Sequence, residues 1–488
     1  MKLCELPSLL GCDPSRALPA TEIAVVTEDS RRVVPGSVFV AARGIHADGH
    51  DYAAAAARAG AVAVIGERPG IASLDGLPYL CVPHARKALG TLAHALAGNP
   101  TERMTVIGVT GTNGKSSTVI LVHHILNACG HSTACLGTLG YRIGSELLAA
   151  PHTTPFGEDL ATLFRRAADA RHSHAVMEVS SHALDQERVA GIVFKVGAFT
   201  NLTQDHLDYH QNMDAYRRAK LRLFEEIVGP ERFTVVNRDD ASADAFISAS
   251  QVPCVTFGAK GDCRATQVRT STRGAEFRAA TPWGAAEIAL PLLGRHNVSN
   301  ALCAIATCGG LRVSLDGIAE SLRCAPPAPG RFEHVDTGQP FQVVVDYAHT
   351  EDGLRNVLQA AREICKGRII CVFGCGGDRD RSKRPKMAAV AAALADLSIL
   401  TSDNPRTEDP ERILLDIETG MQRVGKKKNI DYLVFVNRAE AIRRAIDTAQ
   451  AGDFVMIAGK GHEDYQILGT QRIHFDDREV ARDVLEGR

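Results

Sequence analysis

The run Gly108-Val109-Thr110-Gly111-Thr112-Asn113-Gly114-Lys115-Ser116-Ser117 reads as a phosphate loop of the G-x-x-x-x-G-K-S type. Glycines let backbone N–H groups turn onto phosphate oxygens, and the start of the following helix adds positive potential. Lys115 would reach the β- and γ-phosphates, and the Ser116 hydroxyl would ligate magnesium. Glu178 ends an apolar run, where a carboxylate can meet that metal or simply face solvent. His206 lies in the polar string Asn201-Leu202-Thr203-Gln204-Asp205-His206-Leu207-Asp208 and is open to either a metal or a structural role. Farther on, polar clusters follow apolar runs four times: Asp346-Tyr347-Ala348-His349, Gly374 to Arg379, Asp403-Asn404-Pro405-Arg406 and Gly459-Lys460-Gly461-His462-Glu463.

Such groups act together only if secondary structure brings them to one place. In the last segment the runs Phe341–Val345, Ile369–Phe373, Leu397–Leu400 and Phe454–Ala458 each precede a polar cluster and then a helix, such as Pro385–Ala395 or Arg438–Ala449. Strand, polar loop and helix in repetition predict a doubly wound parallel sheet, whose ligands sit beyond the strands' carboxyl ends. The phosphate loop likewise follows a buried-strand pattern, Met104–Val109, and precedes an apolar helix. Toward the start, Ser37–Ala41 and Ala61–Ile65 flank an Ala-rich helical stretch, Asp51–Ala59, which predicts a small α/β unit. Turn-rich breaks near Gly98-Asn99-Pro100 and Ala325 to Gly330 divide the chain into 1–100, 101–330 and 331–488.

Composition agrees with that division. The chain has 488 residues, and domains average about 150. Its 45% apolar and 23% charged residues are ordinary globular usage. With 55 basic against 57 acidic residues, no broad nucleic-acid surface or anionic-membrane surface is expected. The longest stretch free of Asp, Glu, Lys and Arg, Ser116–Tyr141, is broken by His and Asn, so no membrane insertion is expected. The start does not read as a secretory signal, and thirteen scattered Cys read as buried cytoplasmic thiols. The run Lys426-Lys427-Lys428 reads as a solvated turn.

Together the strings Gly111–Lys115, Glu178-Val179-Ser180-Ser181-His182, Asn201–Asp208, Gly294-Arg295-His296-Asn297-x-x-Asn300 and Asp346–His349 resemble the Mur ligase superfamily, in its order along the chain. The resemblance implies three α/β domains: a UDP-precursor domain, a central P-loop ATPase domain with a mainly parallel sheet, and a Rossmann-like amino-acid domain. It implies ATP-dependent amide formation through an acyl phosphate, with ATP and magnesium (two sites) as cofactors, in a cytoplasmic monomer. The string Asp403–Arg406 is similar to that of members that add meso-2,6-diaminopimelate to UDP-N-acetylmuramoyl-L-alanyl-D-glutamate; lysine adders lack that Arg.

Residue by residue, the resemblance places ATP on Gly111, Thr112, Asn113, Gly114, Lys115, Ser116, Ser117, Asn300 and Arg331. Metal falls to Ser116, Glu178, His206 and Lys220, the last as a carbamate, which would give magnesium the anionic oxygen it favours. Lys115, Lys220 and His206 carry the catalytic roles. The precursor falls to Ser30, His46, Ala47, Thr153, Thr154, Ser180, Gln186 and Arg188, and diaminopimelate to Arg379, Asp403, Asn404, Pro405, Arg406, Gly459 and Glu463. Ile45-His46-Ala47 replaces the commoner His-Gln-Ala, and Ser116-Ser117 the commoner Thr pairs with the hydroxyl retained. Two rivals remain: another amide ligase of the superfamily, lysine-adding or like folylpolyglutamate synthetase, and a P-loop switch protein, in which the four polar clusters would have no task.

Overall fold

A computed structural model describes residues 1–13, 17–44, 47–271 and 273–487. Three sheets with separate cores follow one another along it. The first has five strands, its parallel part running Val26–Thr27, Val38–Ala41, Ala63–Gly66 and Leu77–Cys81, with Ser73–Leu74 antiparallel at the edge. The Ala-rich stretch expected as one helix is split into a 3-10 turn, Gly49–Tyr52, and a short helix, Ala53–Arg58. Asp48 caps the start of the turn, its carboxylate accepting the His50 N–H at 3.0 Å.

The central sheet has eight strands. Cys254–Phe257, Phe233–Asn237, Phe194–Phe199, Thr105–Thr110, His174–Glu178 and Thr133–Gly137 lie side by side and parallel, and two short antiparallel strands finish one edge. Both faces are covered, so these strands read as continuous apolar runs. Ile107 and Val109 pack on the helices Lys115–Ala128 and Arg295–Gly310, while Val106 and Met177 belong to the core on the opposite face. A three-stranded antiparallel sheet, Arg264–Ser271, Gly274–Thr281 and Gly284–Leu290, is added near its end.

In the third sheet the parallel strands are ordered Gln342–Asp346, Phe454–Ala458, Ile369–Phe373, Leu397–Thr401 and Tyr432–Phe435. Side chains alternate between two cores. Val344, Cys371 and Phe373 meet Leu354, Val357 and Met387 on one side, and Val343, Val345, Ile370 and Val372 meet Ile442, Ile446 and Val484 on the other. The chain returns at its end to slot Phe454–Ala458 between its first two long strands. The four polar clusters therefore share one sheet edge, as expected. The last cluster is not followed directly by a helix; a hairpin, Tyr465–Leu468 and Gln471–His474, comes first. Gly469, at φ 61°, supplies the tight turn that makes the hairpin possible.

Candidate active site

The phosphate loop joins the strand Thr105–Thr110 to the helix Lys115–Ala128. Its glycine spacing departs from G-x-x-x-x-G: Val109 holds the first Gly position inside the strand, and Gly111 and Gly114 make the turn at φ 147° and 83°. Both are sterically required, since a Cβ on Gly111 would lie 1.9 Å from Thr200 Oγ1 and one on Gly114 2.4 Å from Asn300 Oδ1. No side chain caps the helix, so its first N–H groups face the cleft. Lys115 Nζ donates to the carbonyls of Gly111 and Thr112 at 2.9 and 2.8 Å, folded over the loop it would leave for a phosphate. Burial lowers its pKa. Ser117 and Asn300 line the adjoining cleft of about 350 Å³, and Arg331 reaches across it, with Nη2 3.4 Å from Ser116 Oγ.

Glu178 ends the neighbouring strand, is buried, and accepts from the Thr138 N–H at 2.8 Å. Lys220 comes from the helix Met213–Glu225 and is 1% exposed. Its Nζ donates to Gly111 O at 2.8 Å and lies 4.6 Å above the Tyr216 ring, with no carboxylate partner among the described residues. Burial, reinforced by the charge of Lys115, holds its pKa well below that of an ordinary lysine. His206 sits in the left-handed region at φ 54°, its ring 4.7 Å from that of His182. Burial pushes its pKa down to about 3, leaving a neutral imidazole able to ligate metal. Asp205 Oδ2 lies 3.4 Å from His206 Nε2 and 3.8 Å from His349 Nε2, linking this loop to the third unit. Sequence reasoning had no role for Thr138, Tyr216 or Asp352. Asp352 accepts from Asn113 Nδ2 at 2.8 Å across this cleft, and only the folded chain brings residues 239 apart together.

The precursor candidates form two groups. Ser30 and Ala47 line a cavity of about 640 Å³ between the first unit and Phe156, Glu158 and Asp159 of the central one, while His46, with Ile45, lies outside the described residues. Thr153, Thr154, Ser180, Gln186 and Arg188 cluster beside Glu178. Thr154 Oγ1 donates to Glu178 O at 2.8 Å, Ser180 caps the helix Ser181–Asp185, and Arg188 donates to Gln186 Oε1 and Thr154 O. Thr153 Oγ1 pairs with Thr138 Oγ1 at 3.0 Å, which sets it beside the Glu178 carboxylate.

Between the two groups stands Glu158, which accepts from Thr27 Oγ1 at 3.0 Å and Arg32 Nη1 at 2.9 Å and so ties the first unit to the central one. Its Oε2 is buried without a partner, and burial raises the carboxyl pKa from 4.5 to about 7. A carboxyl with a raised native pKa holds its proton longer than the unfolded chain does, so stability falls as pH rises from about 4.5 to about 7. The thermal midpoint of the native protein should therefore drop relative to that of Glu158→Gln between pH 5 and pH 8. A constant difference across that range would refute this.

At the third sheet's edge, Asp403, Asn404 and Pro405 are buried, and Gly459, at φ 122°, passes Asp403 so closely that a Cβ would sit 2.7 Å from Oδ2. Asn404 Nδ2 donates to Glu463 Oε2 at 2.9 Å, and Lys460 Nζ, fully buried, donates to the same oxygen at 3.2 Å. Lys460 thus shares the charge of Glu463, one of the residues the resemblance assigns to diaminopimelate. Arg406, at φ 53°, donates through Nη1 to Gly377 O at 2.8 Å and forms no ion pair among the described residues. Arg379 is exposed and donates to Asp378 O. Two guanidiniums without carboxylates at one sheet edge fit a ligand carboxylate.

Among the described residues no three His, Cys, Asp or Glu side chains are grouped as a ready metal site, no helix is long and apolar enough to cross a membrane, and all thirteen Cys are free thiols. Ser116 and Glu178 offer oxygen donors of the kind magnesium takes, neutral His206 offers a nitrogen less usual for that hard cation, and Lys220 as a free amine offers no donor suited to it. Family models match along the chain: the Mur ligase family catalytic domain over residues 22–96, the Mur ligase middle domain over 109–308, and the glutamate ligase domain over 330–461. A UDP-N-acetylmuramoyl-L-alanyl-D-glutamate–2,6-diaminopimelate ligase of Syntrophomonas wolfei is 44% identical over 493 residues, covering 100% of both chains. One of the same description from Geobacillus kaustophilus is 45% identical over 475 residues, covering 96% of each. A solved structure so described superposes with a TM-score of 0.71 at 33% identity, over 100% of this chain and 99% of its own. The fold is also that of a MurF ligase from Thermotoga maritima solved with ADP, at a TM-score of 0.62 and 18% identity, over 96% of each chain.

Proposed function

The chain belongs to the Mur ligase family, and from that premise we propose that it joins meso-2,6-diaminopimelate to the D-Glu γ-carboxylate of UDP-N-acetylmuramoyl-L-alanyl-D-glutamate, converting ATP to ADP and phosphate. The observation that carries the choice of amino acid is Arg406, a guanidinium without a carboxylate partner beside buried Asp403 and Asn404. The far carboxylate of diaminopimelate would complete it bidentately, and lysine would leave it unpaired.

The chemistry follows from the arrangement. ATP lies in the cleft between the central and third units, with its phosphates on the uncapped helix start and its nucleoside near Asn300 and Arg331. Lys115 exchanges its two carbonyl contacts for phosphate oxygens, so its charge follows the γ-phosphoryl group. The precursor's UDP end occupies the Ser30–Ala47 cavity, and its peptide runs past Thr153, Thr154, Ser180, Gln186 and Arg188 toward Glu178. The γ-carboxylate oxygen attacks the γ-phosphorus and ADP leaves. The diamino acid's amine then attacks the acyl carbon, the C–N bond forms, and phosphate departs as the nitrogen loses its proton. Magnesium, when bound, supplies charge neutralisation on the triphosphate; Ser116, Glu178, His206 and carbamylated Lys220 would hold it in two sites. Burial of Lys220 lowers its pKa and so favours the neutral amine, the form that can add carbon dioxide. Every group invoked comes from one chain, which this reading takes to act as a monomer in the cytoplasm.

The test is phosphate release with the precursor and ATP, adding one diamino acid at a time. Release should require all three substrates and should be greatest with meso-diaminopimelate. Equal rates with lysine, or release independent of the precursor, would overturn the assignment.

A further inference from the structure

The helix Lys383–Leu394 begins with a lysine that no carboxylate touches, although Asp205 and Asp380 feel its charge. Lys383 is 7% exposed, yet its Nζ donates no hydrogen bond and forms no ion pair among the described residues. Its neighbours are provided for: Arg384 pairs with Glu408 and Asp416, and Lys386 donates to Gln204. A lysine whose stem is buried and whose ammonium has no contact partner is free to meet an incoming anion.

The place is informative. No side chain caps this helix, so its first N–H groups add to the positive potential of Lys383. The loop before it is fastened to the central unit, because Gln204 Nε2 donates to Asp380 Oδ2 and Ser382 Oγ, both at 2.9 Å. Gln204 directly precedes Asp205 and His206, and the charge of Lys383 is felt by both Asp205 and Asp380. The helix start therefore packs against the Gln204–His206 loop of the central unit, at the junction between that unit and the third.

We propose that Lys383 is an anion-binding catalytic residue that holds the phosphoryl oxygens of the acyl phosphate from the third unit, while Lys115 holds the phosphoryl group from the central one. This rests on the ligase reading above. When the phosphoryl group passes from ATP to the γ-carboxylate it moves away from the loop that bound it, and a second cation from the facing unit keeps its charge balanced. The same contact makes chemistry depend on the third unit being docked, because Lys383 arrives only with it.

Lys383→Met and Lys383→Arg, assayed in the full-length enzyme, test the proposal. Lys383→Met should lower kcat by about 100-fold, the loss typical of one charge-stabilising group. Its KM for ATP and for diaminopimelate should stay within threefold of the native values, with the thermal midpoint unchanged. Lys383→Arg should recover part of kcat. A kcat that is unaffected, or KM values that rise in parallel with its loss, would overturn the proposal. Orthovanadate with ADP supplies a readout independent of ligation: the native enzyme should bind vanadate at least tenfold more tightly than Lys383→Met. Equal vanadate affinity would refute the anion site even where ligation proceeds. If instead the native protein fails to ligate but retains the vanadate difference, the ligase reading fails while Lys383 keeps its anion-binding role.

Discussion

Replacing Lys220 with Ala should reduce ligation by at least ~100-fold, the scale of removing a preorganised charge partner from a transition state. The native lysine is 1% exposed, with one backbone acceptor and no carboxylate. As an ammonium it would repel both magnesium and Lys115, and as a carbamate it gives the metal an anionic oxygen. Truncation to Ala removes that oxygen and leaves a space the size of the lost side chain. Short carboxylates such as formate or acetate should occupy it and restore part of the rate, without restoring activity to Lys115→Ala. Mass analysis of native protein kept under carbon dioxide should show the carboxylated lysine. Full activity of Lys220→Ala without an additive would dismiss the carbamate.

The second large effect is on the amino acid. Arg406→Ala should raise the KM for meso-diaminopimelate roughly 30- to 1,000-fold, the equivalent of about 2–4 kcal/mol for one charged, bidentate contact. The KM for ATP should change by less than threefold, because Arg406 lies at the third sheet's edge, on the strand-end loop after Leu397–Thr401. The variant should also discriminate less against lysine, since no guanidinium is then left unpaired. Equal increases in both KM values would remove Arg406 from the amino-acid site.

Much of this was legible before any coordinates. Apolar runs with buried-strand patterns marked Ile369–Phe373 and Phe454–Ala458 to the residue, because both faces of those strands are covered and neither shows alternation. The phosphate loop was legible from its glycines, although its spacing was misread by one residue: strand and turn cannot be separated by glycine count alone. The antiparallel strands Arg264–Ser271 to Gly284–Leu290 went unread, since exposed polar residues break their pattern. In the site, residue types were legible and pairings were not. The Asn113–Asp352 contact, the link from Asp205 to His349 and the sharing of Glu463 by Lys460 all depend on how units meet or on rotamers. His46 and its neighbour Ile45 fall outside the described residues.

The strand Phe454–Ala458 enters the third sheet between strands made about a hundred residues earlier. A ribosome adding about 5–20 residues per second therefore exposes Gln342–Asp346 and Ile369–Phe373 as unfilled neighbours for several seconds. During that interval the first two units can already be complete. The phosphate loop can thus fold on the nascent chain, whereas the third unit's wall of the cleft and the pocket containing Gly459, Lys460 and Glu463 form only as translation ends. A chain released early should make no bond, and it would present two open strand edges to chaperones and proteases. Quality control and substrate choice thereby depend on the same five-residue segment.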